Sequence, residues 1–251
     1  GDANDGAVEP TCANPTDLAV SGTITADTTW GCEHNYVLSG QVFVQNNATL
    51  TIEAGTEIRG NDGAVLIVTR GSDLQAVGTA ADPIIFTSNQ PVGERRASDW
   101  GGVLLLGNAT VNEGENVFFE AGDMNDQRYY YGPNNGGTAN DDTGSCGNLQ
   151  FVEIHFGGFP IMGADNKEYN GLTVGGCGSG TTLSNIHVHR GSDDGIEFFG
   201  GAANLDHAVI TFVDDDGLDW DFGWSGRAQF LVIHMLAAGD KGIEANNLSL
   251  I

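Results

Sequence analysis

Four segments of the C-terminal half align on one glycine, and this repeat constrains the fold more than any other feature. They are Tyr169-Asn170-Gly171-Leu172-Thr173, Asp193-Asp194-Gly195-Ile196-Glu197, Asp215-Asp216-Gly217-Leu218-Asp219 and Asp240-Lys241-Gly242-Ile243-Glu244, with successive glycines 24, 22 and 25 residues apart. A second set lies upstream: Val152-Glu153-Ile154-His155, Ile186-His187-Val188-His189, Ala208-Val209-Ile210-Thr211 and Leu231-Val232-Ile233-His234. Each alternates apolar with variable residues, the period of a half-buried strand. In the N-terminal half, Leu50-Thr51-Ile52-Glu53-Ala54-Gly55-Thr56 is echoed by Leu74-Gln75-Ala76-Val77-Gly78-Thr79. A period of about 22–25 residues made of short strands and glycine turns, with no helical pattern between, predicts an all-β parallel β-helix. Inward residues then form apolar ladders, Val152-Ile186-Ala208-Leu231 and Ile154-Val188-Ile210-Ile233. The Leu/Asn consensus and helical return of leucine-rich repeats are missing, and a β-sandwich gives no reason for in-register repeats.

We expect residues 1–40 to form an N-terminal cap and 41–251 the solenoid. The stretch 111–148 breaks the period and reads as a loop insertion, with Cys146 near its return; such insertions often carry the binding face. The chain ends on the strand-like Asn247-Leu248-Ser249-Leu250-Ile251 without a polar cap. Solenoids need one for solubility, so the expectation is a longer natural chain, self-association or another subunit at this end. The cysteines, Cys12, Cys32, Cys146 and Cys177, form no C-x-x-C pair and allow three connectivities. Cys12–Cys32 and Cys146–Cys177 are the expected ones, the first closing the N-terminal segment and the second tying the loop to the body.

The 34 acidic residues against nine Lys and Arg give a formal charge of −25. Nucleic acid is excluded as a partner, because a polyanion must meet clustered cations, and docking on an anionic membrane surface fails likewise. No apolar run approaches the length of a membrane span. The chain opens at Gly1 without a leader, which with the cysteines and the charge suggests an exported protein after signal removal.

The runs Thr51–Thr56, Gly78-Thr79-Ala80-Ala81-Asp82-Pro83-Ile84-Ile85-Phe86-Thr87-Ser88, Gly101-Gly102-Val103-Leu104-Leu105-Leu106-Gly107-Asn108-Ala109 and Asp193–Gly201 resemble a family of secreted or cell-surface bacterial proteins of the pectin-lyase-like group. The resemblance covers roughly residues 40–250. It implies a right-handed parallel β-helix and a location outside the cell or on its outer surface, and it carries no catalytic residues over.

Stacked coils turn acids into columns: Asp193, Asp215 and Asp240 in one, Glu197, Asp219 and Glu244 in another. Carboxylates about 5 Å apart repel unless a cation lies between them or one is protonated. Hard oxygen ligands suit Ca²⁺, and Asp193, Asp194, Asp214, Asp215 and Asp216 are the candidate ligands. The same acids also read as solvated turn residues. An outward histidine column, His155, His189 and His234, with His187 two residues from His189, offers a transition-metal site as one reading; because Thr211 interrupts the column, hydrogen-bonded or solvated imidazoles are the expected one. In the enzymatic alternative, a polysaccharide lyase or glycoside hydrolase, Asp194 and Asp216 act as an acid and base pair, and Arg190 as a lyase base. The Gly-His-Gly and Arg-Ile-Lys runs of polygalacturonases are absent. Tyr129, Tyr130, Tyr131 and Trp224 form a candidate platform for stacking on sugar rings. The function expected is therefore an extracellular structural or binding module, stabilised by calcium, that self-associates or binds polysaccharide.

Overall fold

A computed structural model describes residue 12 and residues 14–134, 140–159 and 168–247. In chain order the first strands are β1 (Thr16–Ile24), β2 (Thr28–Trp30), β3 (His34–Val44), β4 (Thr49–Ile52), β5 (Glu57–Gly60), β6 (Val65–Val68), β7 (Asp73–Val77), β8 (Ile84–Ser88) and β9 (Val103–Leu106). An insertion carries β10 (Val117–Phe118) and β11 (Tyr130–Tyr131). The coils resume with β12 (Gly147–His155), β13 (Leu172–Gly175), β14 (Thr182–His189), β15 (Ile196–Phe199), β16 (Asn204–Thr211), β17 (Leu218–Asp221) and β18 (Ala228–His234).

All pairings except β10–β11 are parallel, and they sort into three faces. The first runs β2-β4-β7-β12-β14-β16-β18 through the N-terminal parts of the long strands. The second runs β1-β3-β5-β8-β12-β14-β16-β18, using the C-terminal parts of the last four. The third runs β1-β3-β6-β9-β13-β15-β17. One long strand therefore serves two faces, and it turns the corner on a left-handed residue. Phe151, Asn185, His207 and Phe230, with φ of 50°, 55°, 58° and 58°, stack at that corner.

The parallel β-helix expected from the repeat is formed. Val152, Ile186, Ala208 and Leu231 are in register, as are Ile154, Val188, Ile210 and Ile233. Gly171, Gly195 and Gly217 each donate their amide to the next rung, to the carbonyls of Asp194, Asp216 and Lys241. A side chain has no room there: a Cβ on Gly195 would sit 2.5 Å from Ile210 Cγ2 and 2.6 Å from Gly217 O. The N-terminal echo is offset by one residue. Leu50 pairs with Leu74 and Ile52 with Ala76, so Gly55 and Gly78 do not coincide.

The expected boundary at residue 40 falls inside β3, and β1 pairs with β3 along most of its length. Residues 16–40 are thus already coil rather than a separate cap. The insertion is not a loop projecting from an edge. It folds back over the outer side of the third face, where Val111, Phe119, Ala121, Tyr129 and Tyr131 cover Phe43, Val65, Ile67, Leu104, Leu106 and Phe199 in a second core. The third face is consequently buried on both sides, which explains the unbroken apolar runs of β6 and β9. Both expected disulfides are present, Cys12–Cys32 and Cys146–Cys177. From residue 248 on, the expected terminal strand lies outside the described residues, as does most of the polar tract at 134–142.

Candidate metal centre

The turns that leave the second face and enter the third carry the aspartates. In each, the residue before the aligned glycine uses its side chain to hold the next rung. The Asp194 amide donates to Asn170 Oδ1 (3.2 Å), the Asp216 amide to Asp194 Oδ1 (2.9 Å), and the Lys241 amide to Asp216 Oδ1. Asp194 and Asp216 thus form a ladder of side-chain caps along the axis, each with one carboxylate oxygen committed to backbone.

Beside this ladder lies a cavity of about 350 Å³ lined by Glu120, Glu168, Asp193, Asp194, Glu197, Asp215 and Asp219. Among the described residues, every lining side chain is a carboxylate. Ligand oxygens of Asp193, Asp194 and Asp215 lie within 4.8 Å of one another, and so do those of Asp194, Glu197 and Asp219. Asp194 joins the two groups. It is 7% exposed, and Glu197 is 8% exposed. Glu197 leaves β15 on the outer side, as its alternation with Ile196 requires, yet it is buried there. Its Oε2 accepts from Asn170 Nδ2.

Burial, and then mutual repulsion, makes ionisation costly in this cavity. Burial, followed by the Glu168 and Asp215 charges, pushes Asp193 up to about 7. Burial and then Asp193 push Asp194 up to about 9. Glu197 is raised well above the usual range by burial and then by Asp194 and Asp219. Glu168, Asp215 and Asp219 are raised too, burial being the largest cause for each. One rung further on the problem is solved differently. Lys241 stands in the column of Asp194 and Asp216, pairs with Asp240 and Glu244, and lies 4.0 Å from Asp216.

Among the expected metal ligands, Asp193, Asp194 and Asp215 therefore line the cavity. Asp216 belongs instead to a third group, with Asp215 and Asp240. Asp214 is exposed and joins none of these groups. Glu120 and Glu168 escaped the sequence reading because they come from segments outside the repeat and have no column to mark them. The residues of the enzymatic alternative are not assembled in this cavity. Asp194 and Asp216 are stacked caps, and Arg190 is exposed with its guanidinium 5.8 Å from the Phe212 ring centre.

The aromatic platform is corrected by the second core. Tyr129 and Tyr131 are each 1% exposed, so neither offers an open ring face. Tyr130 packs on Phe118 and donates its hydroxyl to Met124 O. Trp224 stacks on Phe198 at 4.6 Å and donates Nε1–H to Ala203 O, on the inner side of the third face. Tyr129 and Tyr131 thus lie in one core and Trp224 packs against the other, while Tyr130 is half-buried outside both. The histidine column is formed in register, His155-His189-Thr211-His234.

Two disulfides accord with an oxidising compartment outside the cytoplasm, and among the described residues no helix is long and apolar enough to cross a membrane. No curated protein and no solved structure matches the chain. The pectate-lyase-like beta helix domain matches residues 22–250, and the chain belongs to that family.

Proposed function

We propose that the chain is a calcium-stabilised structural and binding module that works outside the bacterial cell or on its surface. The observation that carries this reading is the cavity lined by seven carboxylates, with no cationic side chain in its lining among the described residues. A dication there relieves the repulsion that otherwise keeps several of these groups protonated, and Ca²⁺ accepts six to eight oxygens in loose geometry. The ion is held from two consecutive rungs, and Glu120 brings the insertion to the same cavity. Because the cavity opens to solvent, a bound Ca²⁺ also gives an anionic polysaccharide a favourable contact on a chain of charge −25.

Calorimetric titration of the metal-free chain with Ca²⁺ tests this. Saturable binding that raises the melting temperature, and that Asp193→Asn combined with Asp194→Asn abolishes, is the expected result. A melting temperature indifferent to Ca²⁺ and to EDTA at low salt rejects the reading. Turnover of uronic-acid polymers that Asp194→Asn removes would favour the enzymatic alternative instead.

A further inference from the structure

We propose that Glu153, His155 and His187 form a second metal site, for a divalent transition-metal ion of the zinc type, on the outer side of the second face. The site is distinct from the acidic cavity and does not depend on the calcium reading.

Glu153 and His155 stand two residues apart on β12, so both point outward, and His187 of β14 pairs directly with Glu153. Positions i and i+2 of one strand with the partner of i on the next are the tightest outward triangle a parallel sheet offers. Ligand atoms of all three residues lie within 4.8 Å of one another. Around tetrahedral zinc, with bonds of about 2.0–2.2 Å, ligand atoms stand about 3.3 Å apart. His155 Nε2 and Glu153 Oε2 are already 3.2 Å apart. Small side-chain rotations bring in the third.

A further observation points to a ligand. His155 Nε2 is buried and makes no hydrogen bond, although the carboxylate oxygen is so near. Its geometry leaves a nitrogen and an oxygen facing the same space without satisfying each other, which a buried polar atom rarely does. Thr211 Oγ1 lies 3.3 Å from His187 Nε2 and 2.8 Å from His189 Nδ1, so one hydroxyl on the next rung orients two rings. The nearby Arg95 is engaged elsewhere, with Gln90 O and Thr87 Oγ1.

The ligand set is confined to one pair of rungs. Ile85 precedes Glu153 in the column and Val209 follows His187, and neither can ligate. Two nitrogens and one carboxylate select zinc-type ions over Ca²⁺, which prefers an all-oxygen shell. Three protein ligands leave a fourth position for water or a ligand atom.

The test uses the tag-free, metal-stripped chain in excess Ca²⁺, titrated with Zn²⁺ against a chromophoric chelator, while side-chain ¹⁵N resonances of the histidines are followed by NMR. One tight equivalent that shifts His155 and His187 is expected. His155→Ala, His187→Ala and Glu153→Gln should each weaken it by more than about tenfold, with circular dichroism unchanged, whereas Asp193→Asn should leave it intact. Zn²⁺ binding that leaves these two imidazoles unshifted, or that survives both histidine substitutions, overturns the proposal, as does the absence of binding.

Discussion

At the scale of single residues, the caps formed by Asn170, Asp194 and Asp216 show one position serving two purposes. Each side chain accepts the amide of the next turn through Oδ1, a role that asparagine fills as well as aspartate, as Asn170 demonstrates. The negative charge is superfluous to that role. Asp194→Asn should therefore keep the cap while removing a carboxyl group that must take up a proton to stay buried among Asp193, Glu197 and Asp219. We expect its metal-free melting temperature at pH 8 to exceed that of the parent chain, and its response to Ca²⁺ to shrink. Asp194→Ala removes the acceptor too and leaves the Asp216 amide buried without a partner, so it should be less stable than Asp194→Asn by about 1–3 kcal/mol. Equal stabilities in chemical denaturation would show that the cap contributes nothing.

At the scale of elements, the rung glycines and the insertion decide what the solenoid tolerates. Gly195 and Gly217 face the backbone of the following rung at 2.6 Å from an added Cβ, whereas Gly242 has open space around it. Gly195→Ala should cost about 2 kcal/mol or more, because rungs must separate or Ile210 must leave its rotamer. Gly242→Ala in this chain should be close to neutral. Comparable losses at both positions would mean that the cost is not steric. Reduction of Cys146–Cys177, which closes 31 residues between the insertion and the coils, should cost about 2–4 kcal/mol, read as a lower denaturation midpoint in dithiothreitol.

These elements also mark what the sequence discloses. The second face was legible, since one side of it is wet and period-2 alternation survives in Val152–His155 and Ile186–His189. The first face was hidden inside the same long strands, for its corner turns on Phe151, Asn185, His207 and Phe230, not on the glycines that usually announce a positive φ. The third face lacks alternation because the insertion buries its outer side. That burial also overturned the aromatic platform: Tyr129 and Tyr131 read as exposed loop residues only while the second core was unknown. The aspartate columns were visible from the repeat, but Glu120 and Glu168 complete the cavity from outside it. Glu153 went unnoticed beside the histidine column, because its importance lies in a neighbour across the rung.

At the scale of the whole molecule, opposing titrations make stability depend on pH and on metal together. Asp193 and Asp194 titrate at about 7 and about 9 in the folded chain, against 3.8 for an ordinary aspartate. Between those limits the folded state binds more protons than the unfolded one, so their contribution is fully present below about pH 4 and is lost as pH rises to 7 and beyond. His155, His187 and His189 act in the other direction. Their values lie below 6.5, so the stability they lend is present above that pH and is lost as it falls toward 4. The two losses overlap between about pH 4 and 6.5, and because the raised carboxyl groups outnumber the histidines the metal-free optimum should sit toward the acid end of that range. Calcium cancels only the first. Its stabilisation should be small at pH 5, where the cavity still holds its protons, and should grow to about 2.7 kcal/mol at pH 8 when free Ca²⁺ exceeds the dissociation constant a hundredfold. For a chain of this length that is a rise of about 5–10 °C in melting temperature. Sodium chloride of equal ionic strength screens the exposed charges, but it cannot substitute for ligation inside a cavity of this size. Thermal melts at pH 5 and pH 8, each with EDTA, CaCl₂ or matched NaCl, separate these effects. A calcium increment that is independent of pH, or that sodium reproduces, would place the ion on the general surface and leave the seven carboxylates without a role in holding it.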